Sequence, residues 1–251
     1  MIDVVLLGAS GRMGRAIALA AEGDARLRIV ACVDARPTPG AAGTWFTDPA
    51  AAVAPGTVVV EFSSPAGAAE AAALCAARGA ALVSGSTGLS AEQEASVRAA
   101  GTAVAVLRAS NFSVGVAALR RALAAALAAV PRTWDVEILE RHHRLKKDAP
   151  SGTALTLADD VLGARSLDRG ALRHGREGVV GARTNDEVGV HAVRGGTWVG
   201  DHTVLLAGPG ETLELRHVAQ DRAAFAHGAL AAAAFVASSA PGLYTLDDLL
   251  R

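Results

Sequence analysis

Short apolar runs separated by glycine or small polar residues dominate the first half of the chain. Residues 2–7, 28–33, 58–62, 81–84 and 104–107 are such runs, the form taken by strands buried on both faces of a parallel sheet. Helical periodicity follows the glycines after Leu7 as far as Ala21, and recurs over 66–77 and 91–100. The Pro- and Gly-rich stretch 37–48 is expected to be a loop. This alternation predicts an α/β domain with a doubly wound parallel sheet.

Beyond a long helix over 114–130 the pattern changes. A strand over 134–140 precedes a helix over 154–162. Residues 163–187 are rich in Gly and Arg with little periodicity, as in a long surface loop or a lid. Strand-like runs at 188–193, 197–206 and 212–218 then follow one another with Gly-containing turns between them. Strands in a row predict an open mixed or antiparallel sheet in an α+β domain. The pattern is helical again over 221–238, and 246–250 is amphipathic. The returning helix is expected to pack on the first domain. The expected division is 1–113 with 222–251 against 114–221.

The first strand runs into Gly8-Ala9-Ser10-Gly11-Arg12-Met13-Gly14, spaced GxxGxxG rather than GxGxxG. Such glycines allow a tight turn, close approach of a pyrophosphate and close packing of the following helix. The second strand ends at Asp34, whose carboxylate can accept hydrogen bonds from the adenosine ribose of NAD. Arg36 is near enough to meet a 2′-phosphate instead, so NADH and NADPH both remain open. Phe62, Gly85-Ser86-Thr87 and Ala109-Ser110-Asn111-Phe112 follow later strands, at the ends where doubly wound sheets bind ligands. We read them as edges of a cofactor cleft in a Rossmann-like domain.

Candidate chemistry concentrates in Glu140-Arg141-His142-His143-Arg144-Leu145-Lys146-Lys147-Asp148-Ala149-Pro150-Ser151-Gly152-Thr153. From Arg141 to Lys147, six of seven side chains are cationic or can become so. Lys146 and Lys147 are the only lysines among 24 Lys plus Arg. Lysine, unlike arginine, can lose its proton and so act as an acid. Ser-Gly-Thr opens a helix, whose N-terminal N–H groups and partial positive charge suit an anion. Basic side chains beside a helix start imply a pocket for an anion with more than one carboxylate.

Composition narrows the partners. At 251 residues, 51% hydrophobic and 20% charged, the chain has material for one large or two small cores. A net charge of −1 gives no general field for nucleic acid or membrane. The Ala-rich runs at 122–130 and 229–237 are too short to span a bilayer, and no signal peptide is expected because Val4 to Leu7 run directly into glycines and charge. Cys32 and Cys75 lie in apolar runs without CxxC spacing, as buried thiols of a cytoplasmic protein. His191, His202, His217 and His227 are scattered, without metal-ligand spacing, and are expected to be structural or interface residues.

Taken together, the chain resembles the 4-hydroxy-tetrahydrodipicolinate reductase (dihydrodipicolinate reductase) family of bacterial lysine and diaminopimelate synthesis. The matching runs are the first glycine turn, Gly85-Ser86-Thr87-Gly88, Asn111-Phe112-Ser113-Val114-Gly115, the stretch from Glu140 to Ala154, Gly200-Asp201-His202-Thr203, and Arg222 through Gly228. The resemblance implies a nicotinamide-dependent reductase acting on a small cyclic dicarboxylate. It implies that Gly8, Ala9, Ser10, Gly11, Arg12 and Met13 hold the pyrophosphate and Asp34 the ribose. Gly85, Ser86 and Thr87, with Ala109, Ser110, Asn111 and Phe112, would line the nicotinamide side. His142 and Lys146 would transfer protons, His143 would contact substrate, and Gly152 and Thr153 would bind a carboxylate. A homotetramer built through the sheet of the substrate domain is also implied. Three positions depart from the family pattern. Ala35 stands where a basic residue often serves NADPH, Glu61 replaces an Asp, and Ser63-Ser64 replaces a Thr-bearing turn.

The chemistry of the residues agrees. Hydride addition to a conjugated C=C/C=N system leaves negative charge, which a cationic Lys or His can stabilise and protonate. Lys147 is expected to be solvated. Two rivals remain: an aspartate-type amino-acid dehydrogenase, and a nicotinamide-nucleotide sensor without turnover, which would have no need of a proton donor.

Overall fold

The first apolar run forms β1 (Ile2–Leu7), and helix α1 (Arg12–Ala21) follows the glycine turn. β2 (Leu27–Val33), β3 (Thr44–Phe46), α2 (Pro49–Ala52), β4 (Val58–Glu61), α3 (Pro65–Arg78), β5 (Ala81–Ser84), α4 (Ala91–Ala100) and β6 (Ala105–Arg108) continue the alternation. Next come α5 (Val114–Ala129), β7 (Asp135–His142), α6 (Gly152–Arg165), β8 (Leu172–Arg173), β9 (Val188–Arg194), β10 (Gly200–Gly208) and β11 (Glu211–Ala219). α7 (Ala223–Val236) and β12 (Gly242–Tyr244) close the chain, ahead of a 3₁₀ turn at Leu246–Leu250. The structure, a computed structural model, describes residues 1–38 and 43–250. It divides into two compact units, Met1–Val114 with Arg222–Arg251, and Gly115–Asp221.

In the first unit seven parallel strands lie in the order β12-β6-β5-β4-β1-β2-β3. Val5, Leu7, Val59, Leu82 and Val106 share one cluster with Ala68, Ala72 and Cys75 of α3 and Val97 of α4. α7 packs on α1 and on β4, β5 and β6. Helix starts are chemically marked. Ser64 caps α3 by accepting from Gly67 N, with Pro65 in its first turn. Ser90 and Gln93 form a capping box on α4.

Two short strands of this unit were not expected. Thr44–Phe46 falls within the expected 37–48 loop, of which 39–42 lie outside the described residues. It pairs in parallel with Ala31 to Val33 at the sheet edge, where the neighbouring strand supplies its backbone partners. Gly242–Tyr244 adds to the opposite edge beside β6.

The second unit holds a mixed five-stranded sheet in the order β11-β10-β7-β9-β8. β7 pairs antiparallel with β10 and parallel with β9. Val136, Ile138, Val188, Val190, Val204 and Leu206 turn one face toward Leu157, Ala158 and Val161 of α6 and Leu119 and Leu123 of α5. β10 starts at Gly200 rather than 197. The residues before it pair with the basic stretch instead, His143 N donating to Trp198 O (2.8 Å) and Arg144 N to Gly196 O (3.3 Å). Within 163–187 the structure has a 3₁₀ turn at Arg169–Ala171 and the short β8. Arg176 and Arg183 from this segment bond to Glu137. No helix among the described residues is long and apolar enough to cross a membrane.

Candidate active site

In the first unit, the turn after β1 has no room for side chains at two glycines. Gly8 has φ +78°, and a Cβ there would lie 2.4 Å from Phe62 O. A Cβ on Gly14 would lie 2.2 Å from Gly8 O. Gly11 caps the ten-residue α1 without any side-chain hydrogen bond. A glycine cradle at a helix start without a side-chain cap fits a dinucleotide pyrophosphate, which the first-turn N–H groups and the helix dipole can bind. Ser10 N donates to Asp34 Oδ2 (3.1 Å) and Arg36 N to Asp34 Oδ1 (3.1 Å), which fixes the carboxylate at the end of β2. Each oxygen keeps accepting capacity for a ribose hydroxyl.

A cleft of about 550 Å³ opens where strand order reverses between β1 and β4. Gly11, Arg12, Met13, Gly85, Ser86, Thr87, Ser110, Asn111 and Phe112 line it, with Phe62, Ser63, Ser64, Pro65 and Phe225. Gly8, Ala9, Ser10, Asp34 and Ala109 do not, and Ala9 is buried. Phe62 and Phe112 meet edge to face at 5.2 Å. Under the cleft wall, fully buried Glu61 accepts from Ser63 N (2.6 Å), Ser63 Oγ (2.7 Å), Ser86 Oγ (2.5 Å) and Ser84 Oγ (3.1 Å). Ser63, Phe225 and Glu61 had no site role in the reading of the sequence: Glu61 and Ser63 entered only as departures from the family pattern, and Phe225 only within a matching run.

In the second unit the candidate chemistry starts on a strand. β7 runs two residues past the expected end, and its buried positions alternate as Val136, Ile138, Glu140, His142. One face of the sheet thus passes from apolar core to a polar cluster. His142 Nδ1 lies 2.6 Å from Glu140 Oε2. Arg194, paired with His142 in register on β9, donates to both Glu140 oxygens (2.6 and 2.7 Å). Ser151, which caps α6 by accepting from Ala154 N, donates its own N–H to Glu140 Oε1 (2.9 Å). Burial raises the Glu140 carboxyl's proton affinity, but His142, Arg194 and the Ser151 N–H outweigh it and hold the pKa at about 2. His202, from β10, lies with its ring 5.1 Å from that of His142 and its Nε2 3.0 Å from Ser151 Oγ. Burial, aided by His142, pushes its pKa down to about 4.

The structure also places the other expected residues. Gly152 and Thr153 open α6, with Gly152 exposed. The Nδ1 of His143 is buried without a hydrogen-bond partner among the described residues. Lys146 Nζ rests 2.8 Å from Asp148, and Arg141 is bonded to buried Asp201 (2.8 Å), so part of the stretch's charge is already paired. Lys147 is exposed. Sequence reasoning gave no role to Glu140 or Arg194. The E-x-H spacing, which puts two side chains on one strand face, was a usable signal for Glu140. Only strand register brings Arg194 to it, and no local pattern marks that.

Comparison with known proteins bears on both units. The family model described as dihydrodipicolinate reductase, N-terminus, matches residues 2–112, and that described as dihydrodipicolinate reductase, C-terminus, matches 115–250. The chain is 42% identical to 4-hydroxy-tetrahydrodipicolinate reductase of Caulobacter vibrioides over 99% of this chain and 97% of that one. Against the enzyme of the same name from an Anaeromyxobacter species it is 40% identical, over 100% and 98%. Among solved structures, dipicolinate-bound dihydrodipicolinate reductase from Paenisporosarcina sp. TG-14 aligns over 99% of both chains, with 25% identity and a TM-score of 0.81. With both halves matched and identity sustained end to end, the chain belongs to the 4-hydroxy-tetrahydrodipicolinate reductase family, oxidoreductases that use a nicotinamide cofactor for the reduction step of lysine and diaminopimelate synthesis.

Proposed function

We propose that the first unit is the dinucleotide-binding domain and the second the substrate-binding and oligomerisation domain of a cytoplasmic homotetramer. Gly8 to Met13 hold the pyrophosphate, Asp34 the adenosine ribose, and Gly85 to Thr87 with Ala109 to Phe112 the nicotinamide end. The cofactor supplies hydride when bound. The second unit takes the cyclic dicarboxylate 4-hydroxy-tetrahydrodipicolinate. The dipicolinate held by the Paenisporosarcina enzyme supports that ligand class.

The observation that carries the reading is the buried Glu140–His142 pair one loop away in sequence from Lys146 and the α6 start. An ionised carboxylate only accepts, so His142 presents Nδ1–H to it and leaves Nε2 for proton transfer. His142 and Lys146 protonate the ring after reduction, while His143, Gly152 and Thr153 hold carboxylates. Helix-start N–H groups suit the last role.

The residues at the ribose end support either nicotinamide cofactor. Asp34 favours NADH by accepting from ribose hydroxyls, and exposed Arg36 offers charge to a 2′-phosphate. The test is oxidation of NADH and of NADPH by purified protein, with substrate generated from pyruvate and aspartate semialdehyde by a dihydrodipicolinate synthase. Rapid oxidation that requires every component is expected, and the ratio of the two rates reads the balance of Asp34 and Arg36. Binding of NADH without oxidation of either cofactor would remove the assignment.

A further inference from the structure

Glu140 has no exposed surface, yet four donors reach its two oxygens. Oε2 takes His142 Nδ1 and Arg194 Nη1 (both 2.6 Å), and Oε1 takes Arg194 Nη2 (2.7 Å) and Ser151 N (2.9 Å). We infer that Glu140 and Arg194 are positioning residues for proton transfer at His142. Glu140 fixes the ring with its proton on Nδ1 and makes Nε2 the titrating atom. Arg194 offsets the carboxylate's charge, so that the doubly protonated ring can still release its proton. The inference rests on the reading of His142 as a proton-transfer group.

Three observations support it. First, a carboxylate cannot donate, so Nδ1–H must donate in either charge state of the ring, and one neutral tautomer is removed. Second, Nε2 is left uncrowded. It lies beside Gly200, where a Cβ would come within 3.3 Å of it, tighter than ordinary contact, so the glycine keeps a side chain off that atom. Third, among the described residues Arg194 is the guanidinium bonded to Glu140, and the following neighbours are engaged elsewhere. On β7 and β10, Arg141 and Asp201 pair with each other (2.8 Å), and Arg216 of β11 also bonds to Asp201. In the loop after β7, Lys146 pairs with Asp148 (2.8 Å). His202, the remaining titratable ring against His142, is neutral at neutral pH, and at the start of α6 Ser151 contributes only uncharged groups. Without Arg194, His142 would face an uncompensated buried carboxylate, which favours the imidazolium and makes it a weaker acid. Arg194 also donates to Asp148 O (2.6 Å), which ties the loop bearing Lys146 to β9.

The test is an NMR titration of the full chain with ¹⁵N-labelled histidine, with His142 assigned by comparison with His142→Asn. The parent is expected to show the Nδ1–H tautomer above its midpoint. Arg194→Met is expected to raise the His142 midpoint by about one pH unit, a tenfold tighter hold on the proton. Arg194→Lys, which keeps the charge, should return most of that shift. Glu140→Gln should release the tautomer and populate Nε2–H. In turnover, Arg194→Met should lower kcat at neutral pH and move the kcat profile upward, with NADH affinity unchanged. If Arg194→Met does not fold, Arg194→Gln is read by the same criterion. An unmoved His142 midpoint in a folded, uncharged variant, or an unchanged tautomer in Glu140→Gln, overturns the inference. Full turnover by His142→Asn instead removes the proton-transfer reading beneath it, whatever the titration gives.

Discussion

Gly228 in α7 tests how tightly the C-terminal helix is tied to the cleft. An ideal Cβ on Gly228 would lie 1.7 Å from Phe112 O and 2.9 Å from Phe112 C, and Phe112 lines the cleft. Replacing glycine by alanine inside a helix ordinarily gains about 1 kcal/mol. Here the obstruction is backbone, which no rotamer change can clear. Ordinary contact requires opening the gap by about 1.5 Å or more, against a typical overpacking cost of about 1–3 kcal/mol with larger values when backbone must move. Taking about 3 kcal/mol or more for the clash, Gly228→Ala is expected to destabilise the first unit by about 2 kcal/mol or more. At a urea dependence of about 2 kcal/mol per molar, the unfolding midpoint falls by about 1 M. Affinity for NADH should fall too, as the 110–112 turn shifts. Gly163→Ala in α6 is the control, since a Cβ there meets nothing within 4 Å. It should stabilise by up to about 1 kcal/mol. The same substitution thus carries opposite signs at two helical sites. A Gly228→Ala protein as stable as its parent, with unaltered NADH affinity, refutes the packing argument.

Lys146→Ala should lower kcat about 10²–10⁴-fold, the usual contribution of a general acid, and leave the NADH dissociation constant from fluorescence titration unchanged; equal losses in both would remove its proton-transfer role. Ser166 ends α6 in the left-handed region with φ +56°, so Ser166→Gly should raise stability by about 1 kcal/mol in chemical denaturation. His202 titrates near 6.5 when unfolded but at about 4 when folded, so between those values the unfolded chain binds more protons and stability falls as pH falls. At about 1.4 kcal/mol per pH unit, roughly 2 kcal/mol should be lost from pH 6.5 to pH 5, and His202→Gln should flatten that slope in urea midpoints.

What was legible in the sequence follows from how local its cause is. The apolar run that became β1, the glycine turn, the helix over 91–100 and the α6 start at Ser151 are each set by residues within a few turns or one strand. β3 and β12 were missed because three-residue strands at sheet edges carry no pattern of their own and depend on β2 and β6. The strand over 134–140 was ended where the basic run begins at Arg141. Glu140 and His142 nonetheless continue the alternation, because a buried face tolerates polar groups that satisfy one another. The positive charge of the basic stretch was overestimated for a related reason. Asp201, 60 residues after Arg141, is brought alongside it by the β7–β10 pairing, and nothing local announces that.

Both units use a buried carboxylate near a strand end to hold the loops around it, but the two differ in their donors. Glu61 gathers one N–H and three serine hydroxyls, and so joins the turns after β4 and β5 without a cation. Glu140 gathers a ring N–H, a guanidinium and a helix-start N–H, and so joins two strands to the start of α6. A carboxylate suits both places because it accepts on two oxygens and never competes as a donor, so the direction of every bond to it is fixed. Hydroxyl partners suffice where the task is to shape a cleft wall. Where the partner is a histidine proposed to exchange a proton, an unscreened carboxylate would hold that proton, and a guanidinium on the same oxygens offsets it. On the proposed reading, the two carboxylates thus differ as a support for a cleft wall differs from a support for a proton-transfer group.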